Sequence, residues 1–112
     1  MNKELGKIKS VRFGIGGYQD AQIGVFFSLQ IGHSSGVSDN RSGWDSNIIK
    51  CDERSQWTEV DRSETYNKIV RYVSDLLAAA KVDSIDDLVN IPIELTMDNM
   101  TLKSWRILTE VL

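Results

Sequence analysis

Alternating apolar and polar residues predict a β-hairpin at the start of the chain. The clearest alternation covers residues 21–31, in which Phe26 is a bulky exception on the otherwise polar side. A shorter run covers residues 7–13, and a glycine-rich turn at 14–20 joins the two strands. Because side chains alternate along a strand, the first strand is predicted to present its residues on two faces. Lys9, Val11 and Phe13 fall on one face, and Ile8, Ser10 and Arg12 on the other.

A second hairpin is predicted at the end of the chain, where residues 91–98 alternate apolar with polar and residues 102–106 return after a tight turn at Asp98 and Asn99. Trp105 and Arg106 are neighbours on the returning strand, so their side chains point to opposite faces of the sheet. One face therefore takes a large apolar anchor and the other a planar cation.

A single long helix is predicted between the hairpins. Thr58 is a suitable N-cap, and apolar residues recur at helical spacing as far as Lys81, forming a stripe that is expected to lie on the sheet. After the helix, Ser84 caps a short turn at 85–89. Before the helix, residues 32–47 are rich in Gly, Ser and Asn, which predicts a long loop, followed by a short edge strand at 48–50. The chain is thus predicted to be one α+β domain, 1–112, with a small antiparallel sheet in the order ββ-loop-α-ββ packed on one long helix.

Composition narrows the possible functions. The 112 residues carry a net charge of -3, which disfavours a broad duplex DNA-binding surface but leaves room for one local basic site. One cysteine allows no intrachain disulfide, and no apolar run has the length of a signal peptide or a membrane span. We therefore expect a cytoplasmic protein that does not associate with membranes.

Residues suited to catalysis are few. His33 is the one histidine and Cys51 the one cysteine, and no nucleophile motif surrounds either of them. A Cys–His dyad is one interpretation, and an inert cysteine is the more ordinary one. No Cys/His cluster has the spacing of a metal site. The sequence therefore predicts no enzyme, no metal and no cofactor.

The glycine-rich segment allows two interpretations. Gly16 and Gly17 would let backbone N–H groups approach a phosphate closely, as in anion-binding nests. The dinucleotide-binding spacing, however, requires a glycine where Gln19 stands, and it requires a helix where a strand follows. These departures favour a simple hairpin turn, and a phosphate cradle stays the alternative.

Basic residues beside aromatic ones give a second candidate site. Arg106, Lys103 and Arg12 could furnish a nucleotide or phosphate site, because a guanidinium stacks on bases and forms paired hydrogen bonds with phosphate oxygens. The alternative is structural: Trp105 belongs to the core, and Arg106 pairs with Glu94 across the hairpin.

Five segments of the chain, in order, read VRFGIGGYQDAQIG, QWTEVDR, AAAKV, IPIELT and LKSWRIL. Together they resemble phage-encoded Thoeris anti-defence sponge proteins of the first-described type. The resemblance implies a protein of the infected cell's cytosol that assembles as a dimer or a trimer of dimers. It also implies that the protein sequesters cyclic ADP-ribose isomers made by TIR-domain defence proteins, and in some members cyclic di- or trinucleotides, without cleaving them.

The resemblance also implies roles for individual residues. Arg106 matches the position of the arginine that clamps the pyrophosphate, and Asn90 is a candidate for a polar contact. The aromatic plate that stacks on adenine has no clear match, since the helix ends in leucines and alanines. Phe26 and Trp44 are consistent with an oligomer face. Two other functions stay open: an inhibitor that binds a host enzyme through the Trp44 loop without a small ligand, and a hydrolase of the same nucleotides.

Overall fold

The computed structural model describes residues 1–44 and 58–112, which form a curled five-stranded antiparallel sheet and one long helix. This confirms the predicted α+β class. The strands and the helix, in chain order, are β1 (Asn2–Gly16), β2 (Gln22–Ile31), β3 (Ser35–Trp44), α1 (Glu59–Ala80), β4 (Pro92–Asp98) and β5 (Thr101–Ile107). The sheet order is β3-β2-β1-β4-β5, and short 3₁₀ turns occupy Tyr18–Asp20, Ile85–Leu88 and Thr109–Val111.

The predicted loop at 32–47 is wrong for most of its length, because β3 lies within it. β3 pairs with β2 in an uninterrupted register from Gln22 opposite Trp44 to Ile31 opposite Ser35. Only a tight turn separates the two strands, and Gly32 takes a positive φ of 58° there. Polar and small residues are typical of turns, but an edge strand tolerates them. Only one edge of such a strand forms backbone hydrogen bonds within the sheet, and polar residues help to prevent the other edge from pairing with another chain. Residues 45–47 and the predicted edge strand at 48–50 lie outside the described residues.

A β-bulge changes the predicted faces of β1. The register with β2 shifts between Ile8 and Ser10, which leaves Lys9 as an extra residue in the strand. Ile8 and Phe13 therefore share the face that packs on α1, whereas Lys9 and Arg12 share the opposite face. The predicted grouping of Ile8 with Arg12 and of Lys9 with Phe13 is wrong, because strict alternation does not hold across a bulge. We call the α1 side the inner face and the other side the outer face.

The core lies between the inner face and α1. Its buried apolar residues come from β1, β2, α1, β4, β5 and the turn before β4: Ile8, Val25, Phe27, Leu29, Ala80, Leu88, Ile93, Leu95, Met97 and Ile107. Thr58 and Asp61 form the capping box that begins α1, and Lys81 ends it with a positive φ of 60°. Val70 belongs to the predicted apolar stripe but is 63% exposed. No helix in residues 1–44 or 58–112 has both the length and the apolar character needed to cross a bilayer.

The closing hairpin places Trp105 and Arg106 on opposite faces, as predicted. Trp105 packs edge-on against Phe27 with ring centroids 5.2 Å apart, and its Nε1 donates a 2.7 Å hydrogen bond to Oδ2 of Asp39. β5 and β3 are the two edge strands of the sheet, so this hydrogen bond connects the two edges of the sheet across the inner face. The turn of the hairpin consists of Asn99 and Met100, one residue later than predicted.

Candidate functional site

The residues predicted to bind a ligand fall into two groups that the fold keeps apart. Arg12 and Gly16 belong to the part of β1 that pairs with β2, and Gly17 follows β1 directly, whereas Arg106 and Lys103 belong to β5. Glu94 on β4 lies opposite both Arg106 of β5 and Leu5 of β1, so Arg106 is level with Leu5 in the sheet. Seven residues separate that position from Arg12, which corresponds to about 20 Å along a strand. One small ligand cannot contact both groups within a single subunit.

Two carboxylates already hold the guanidinium of Arg106. Its Nε donates to Oε1 of Glu94 at 3.1 Å, and its Nη1 and Nη2 donate to the two carboxylate oxygens of Glu110 at 2.9 and 3.0 Å. These hydrogen bonds raise the pKa of Arg106, and the bond from Arg106 lowers the pKa of Glu110. The predicted ion pair with Glu94 is present, and a phosphate at Arg106 would have to displace carboxylates.

Asn90 and Lys103 are both exposed. Asn90 has a positive φ of 72°, and its backbone N–H donates to the carbonyl oxygen of Ile8 at 2.7 Å. An asparagine suits such a turn because its short side chain tolerates the left-handed conformation. Within the described part of the chain, Lys103 makes no ion pair.

Arg12, Gly16 and Phe26 form a compact cluster on the outer face, which we call the Arg12–Phe26 site. The guanidinium carbon of Arg12 lies 4.6 Å from the ring centroid of Phe26, and Nη1 donates to the carbonyl oxygen of Ile15 at 2.8 Å. Gly16 is buried beneath this pair. A Cβ atom at Gly16 would lie 2.5 Å from Nη2 of Arg12 and 3.0 Å from the Phe26 ring. The glycine therefore makes room for the guanidinium of Arg12 over the phenyl ring.

Gly17 has a different function in the turn. Its φ of 72° and ψ of -159° belong to a region open mainly to glycine, and a Cβ there would overlap the side chain of Gln22. The residues that follow, Gln19 and Asp20, also have positive φ angles. The segment is therefore a hairpin turn, as the simpler interpretation predicted, while Gly16 shapes the surface next to it.

The Arg12–Phe26 site lies in a basic part of the outer face. Lys7, Lys9 and Arg12 point outward from β1, and none forms an ion pair with a carboxylate in the described part of the chain. The outer-face positions of β2 and β3 hold uncharged residues: Gln22, Gly24, Phe26, Ser28, Gln30, Gly36, Ser38, Asn40 and Ser42. Hydroxyl and amide groups thus border three uncompensated cations, which suits an anionic ligand.

A shallow depression opens beside the cluster. It has a volume of about 250 Å³ and is lined by Ser10, Val11, Arg12, Phe26, Phe27 and Ser28. The phenyl and guanidinium groups offer planar surfaces for a base, and the serine hydroxyls can donate to a phosphate or a sugar. These groups can bind a nucleotide by stacking and by hydrogen bonding.

The inner face holds a polar cluster with a structural function. Asp39 accepts from Trp105 and lies 3.5 Å from Arg41, whose guanidinium lies over the ring of Tyr72 at 4.8 Å. Burial raises the pKa of Tyr72, while the charge of Arg41 opposes that rise. The polar groups of this cluster pair with one another, and the contact between Arg41 and Tyr72 connects the edge strand β3 with α1.

The Cys–His dyad, the less ordinary of the two interpretations of Cys51, cannot be placed, because Cys51 lies outside the described residues. In residues 1–44 and 58–112, no three His, Cys, Asp or Glu side chains are grouped as a metal site would require.

Sequence reasoning missed two residues of the outer face, one in the Arg12–Phe26 site and one next to it. Phe26 was assigned to an oligomer face, although its position as the bulky exception among the polar residues of β2 was the available signal. Lys9 was assigned to the wrong face because the bulge in β1 has no marker in the sequence.

Comparisons with known proteins identify no relative. A scan against models of protein families, a search among characterised proteins and a search among solved structures each found no match to this chain. The function is therefore inferred from the geometry of the outer face and from the sequence motifs quoted above.

Proposed function

We propose that this protein binds a small anionic nucleotide and holds it without cleaving it. The observation that carries the proposal is the outer face of β1 and β2, where Arg12 lies over the half-buried ring of Phe26. Neither Arg12 nor Lys9 on the same face has a carboxylate partner in the described part of the chain. A nucleotide presents both a planar base and negative phosphates, so it matches this combination of groups. The resemblance to anti-defence sponges favours a cyclic immune signal, above all a cyclic ADP-ribose isomer.

The fixed position of Arg12 supports tight binding. A sponge must hold a dilute signal for longer than an infection lasts, which requires a nanomolar dissociation constant, about -12 kcal/mol. Gly16, Phe26 and the carbonyl group of Ile15 hold the guanidinium before any ligand arrives. A rigid cyclic ligand meeting a preorganised cation loses little conformational entropy, so more of the interaction energy appears as affinity.

Assembly into a homo-oligomer in the host cytosol is part of the proposal. An apolar strip lies between the inner face of β1 and α1, where Phe13 is 51% exposed, Ile15 45% and Val70 63%. Exposed apolar residues in one contiguous strip favour contact with another protein surface. A second copy at this strip would increase the surface available to enclose a ligand, because a chain of 112 residues offers one subunit little room for a deep pocket.

A pair of aromatic residues keeps a second function under consideration. Tyr18 is 69% exposed and packs edge-on against Trp44, with ring centroids 6.4 Å apart. Exposed aromatic residues are common anchors of protein–protein interfaces. This pair would serve an inhibitor that binds a host enzyme and takes no small ligand.

One experiment separates these functions. The purified protein is incubated with a cyclic ADP-ribose isomer, freed of unbound ligand by gel filtration, denatured by heat, and the released material is identified by mass spectrometry. Release of the intact signal is the expected result. A cleaved product would indicate a hydrolase, and an empty protein would favour the interaction inhibitor; either result would refute the proposal.

Phe26 and Phe13, on the neighbouring strands β2 and β1, provide a matched pair of variants. Phe26→Leu removes the ring on the outer face and should reduce retention, because leucine cannot stack with Arg12 or a base. Phe13→Leu removes a ring on the inner face of the neighbouring strand but keeps an apolar side chain in the strip proposed to contact a second copy, so retention should be unchanged. Equal loss in both variants would place the ligand elsewhere.

A further inference from the structure

The outer face continues from the Arg12–Phe26 site into a second pocket, which we call the Lys9–His33 pocket. It has a volume of about 140 Å³ and lies where β1, β2 and the β2–β3 turn meet. Ser28 lines both this pocket and the depression beside Phe26, so the two are continuous along β2. Its lining residues are all polar or glycine, and no acid is among them: Lys9, Ser28, Gln30, His33, Ser34, Ser35 and Gly36.

Two local features of the backbone create this pocket. Lys9 lies on the outer face as the extra residue of the β-bulge, and the bulge keeps Arg12 on that same face. Regular alternation from Ile8 would have sent Arg12 inward. The positive φ of Gly32, 58°, tightens the turn that carries His33. The side-chain amide of Gln30 donates to the carbonyl oxygen of Gly32 at 3.0 Å, which fixes the wall of the pocket next to the turn.

We propose that the Lys9–His33 pocket binds a phosphate group. An ammonium group provides a compact positive charge, and hydroxyl and imidazole groups provide hydrogen-bond donors around it, which is the combination that phosphate oxygens require. Lys9 forms no ion pair with a carboxylate in residues 1–44 or 58–112, so a phosphate would not have to displace one there.

The position of the pocket also defines the kind of ligand, and this step rests on the proposed function. Lys9 is the extra residue between the β1 positions opposite Leu29 and Ser28, so along β2 it lies two to three residues from Phe26, about 7–10 Å. A ligand that stacks its base at Phe26 and places its phosphates at Lys9 must hold the two groups about 7–10 Å apart. A nucleotide with a pyrophosphate group satisfies this requirement.

His33 gives a direct test, because it is the one histidine in the chain and its imidazole C–H signals are unique in a proton NMR spectrum. The protein is titrated with sodium pyrophosphate at fixed pH and fixed ionic strength, with sodium chloride as the reference salt. We expect the His33 signals to shift and to saturate with pyrophosphate and to stay in place with chloride. Lys9→Gln should weaken pyrophosphate binding about tenfold, the effect of losing one charged hydrogen bond. Lys103→Gln, a lysine on β5, should change nothing.

The outcomes separate the pocket from the proposed function. A shift that does not saturate, or that is the same in Lys9→Gln and the unchanged protein, overturns the phosphate pocket. If the cyclic signal is nevertheless retained in a Phe26-dependent manner, the proposed function stands and only this inference fails. If pyrophosphate binds in a Lys9-dependent manner but no cyclic signal is retained, the pocket stands and the proposed function fails.

Discussion

Alanine substitutions at three outer-face glycines, Gly14, Gly16 and Gly24, should have three different effects. All three lie in β1 or β2 on the side that carries Arg12. At Gly14 a Cβ would lie 3.5 Å from Nη1 of Arg12, an ordinary contact. At Gly16 it would lie 2.5 Å from Nη2 of Arg12 and 3.0 Å from the Phe26 ring, so the guanidinium would have to leave its place over the ring. At Gly24 it would overlap the β3 backbone, which cannot move without opening the sheet.

These contacts set the expected free energies of unfolding. Gly14→Ala should stabilise by about 0.4–1 kcal/mol, because alanine restricts the unfolded chain and fits the strand. Gly16→Ala makes the same gain but displaces the guanidinium of Arg12 from the Phe26 ring, which costs about 0.5–1 kcal/mol, so its net effect on stability is close to zero. Gly24→Ala should destabilise by about 1–3 kcal/mol or more, the usual cost of overpacking.

Urea denaturation and ligand retention together test the series. Each change in stability should appear as a shifted midpoint with an unchanged m-value. Gly16→Ala is expected to lose ligand retention at unchanged stability, whereas Gly14→Ala keeps both. If Gly24→Ala is as stable as the unchanged protein, the register of β2 with β3 is wrong. If Gly16→Ala retains ligand normally, the position of Arg12 against Phe26 does not matter for binding.

Three further substitutions test the fold. Trp105→Phe removes the hydrogen bond to Asp39 and should lower the free energy of unfolding by about 1–3 kcal/mol, because a partly buried carboxylate loses a donor; the urea midpoint measures it. Thr58→Ala removes the capping box of α1 and should cost about 1 kcal/mol, visible as a lower melting temperature. Glu110→Gln should lower the urea midpoint at pH 7. Because Arg106 lowers the pKa of Glu110, the difference in midpoint between the variant and the unchanged protein should vanish as the pH falls through that lowered pKa. A difference that persists in acid would contradict the ion pair.

The closing hairpin and α1 could be predicted because local pattern and tertiary packing agree there. Residues alternating from Ile93 to Met97 bury one side of a single strand, and Thr58 marks the start of α1 with a cap that the structure contains. The neighbouring positions of Trp105 and Arg106 fixed their opposite faces by geometry alone. The pairing of Arg106 with Glu94 followed from the cross-strand register.

Other features depend on interactions that a pattern does not show. β3 exists because β2 offers it a full set of backbone partners, and its Ser-, Gly- and Asn-rich sequence has no strand preference of its own. The bulge at Lys9 reverses the faces of the second half of β1, and only the register with β2 reveals it. The role of Gly16 depends on the side chains of Arg12 and Phe26, which meet across two strands. These are the features that build the proposed ligand site.

The site itself is tested most directly by comparing Arg12→Gln with Arg106→Gln. Both variants replace a guanidinium with a neutral amide on the outer face, one at the Arg12–Phe26 site and one where two carboxylates hold the arginine. Dissociation constants for a cyclic ADP-ribose isomer, measured by isothermal titration calorimetry, should rise at least about tenfold in Arg12→Gln, the effect of losing one charged hydrogen bond. Arg106→Gln should bind like the unchanged protein. Loss of binding in Arg106→Gln with normal binding in Arg12→Gln would contradict the account.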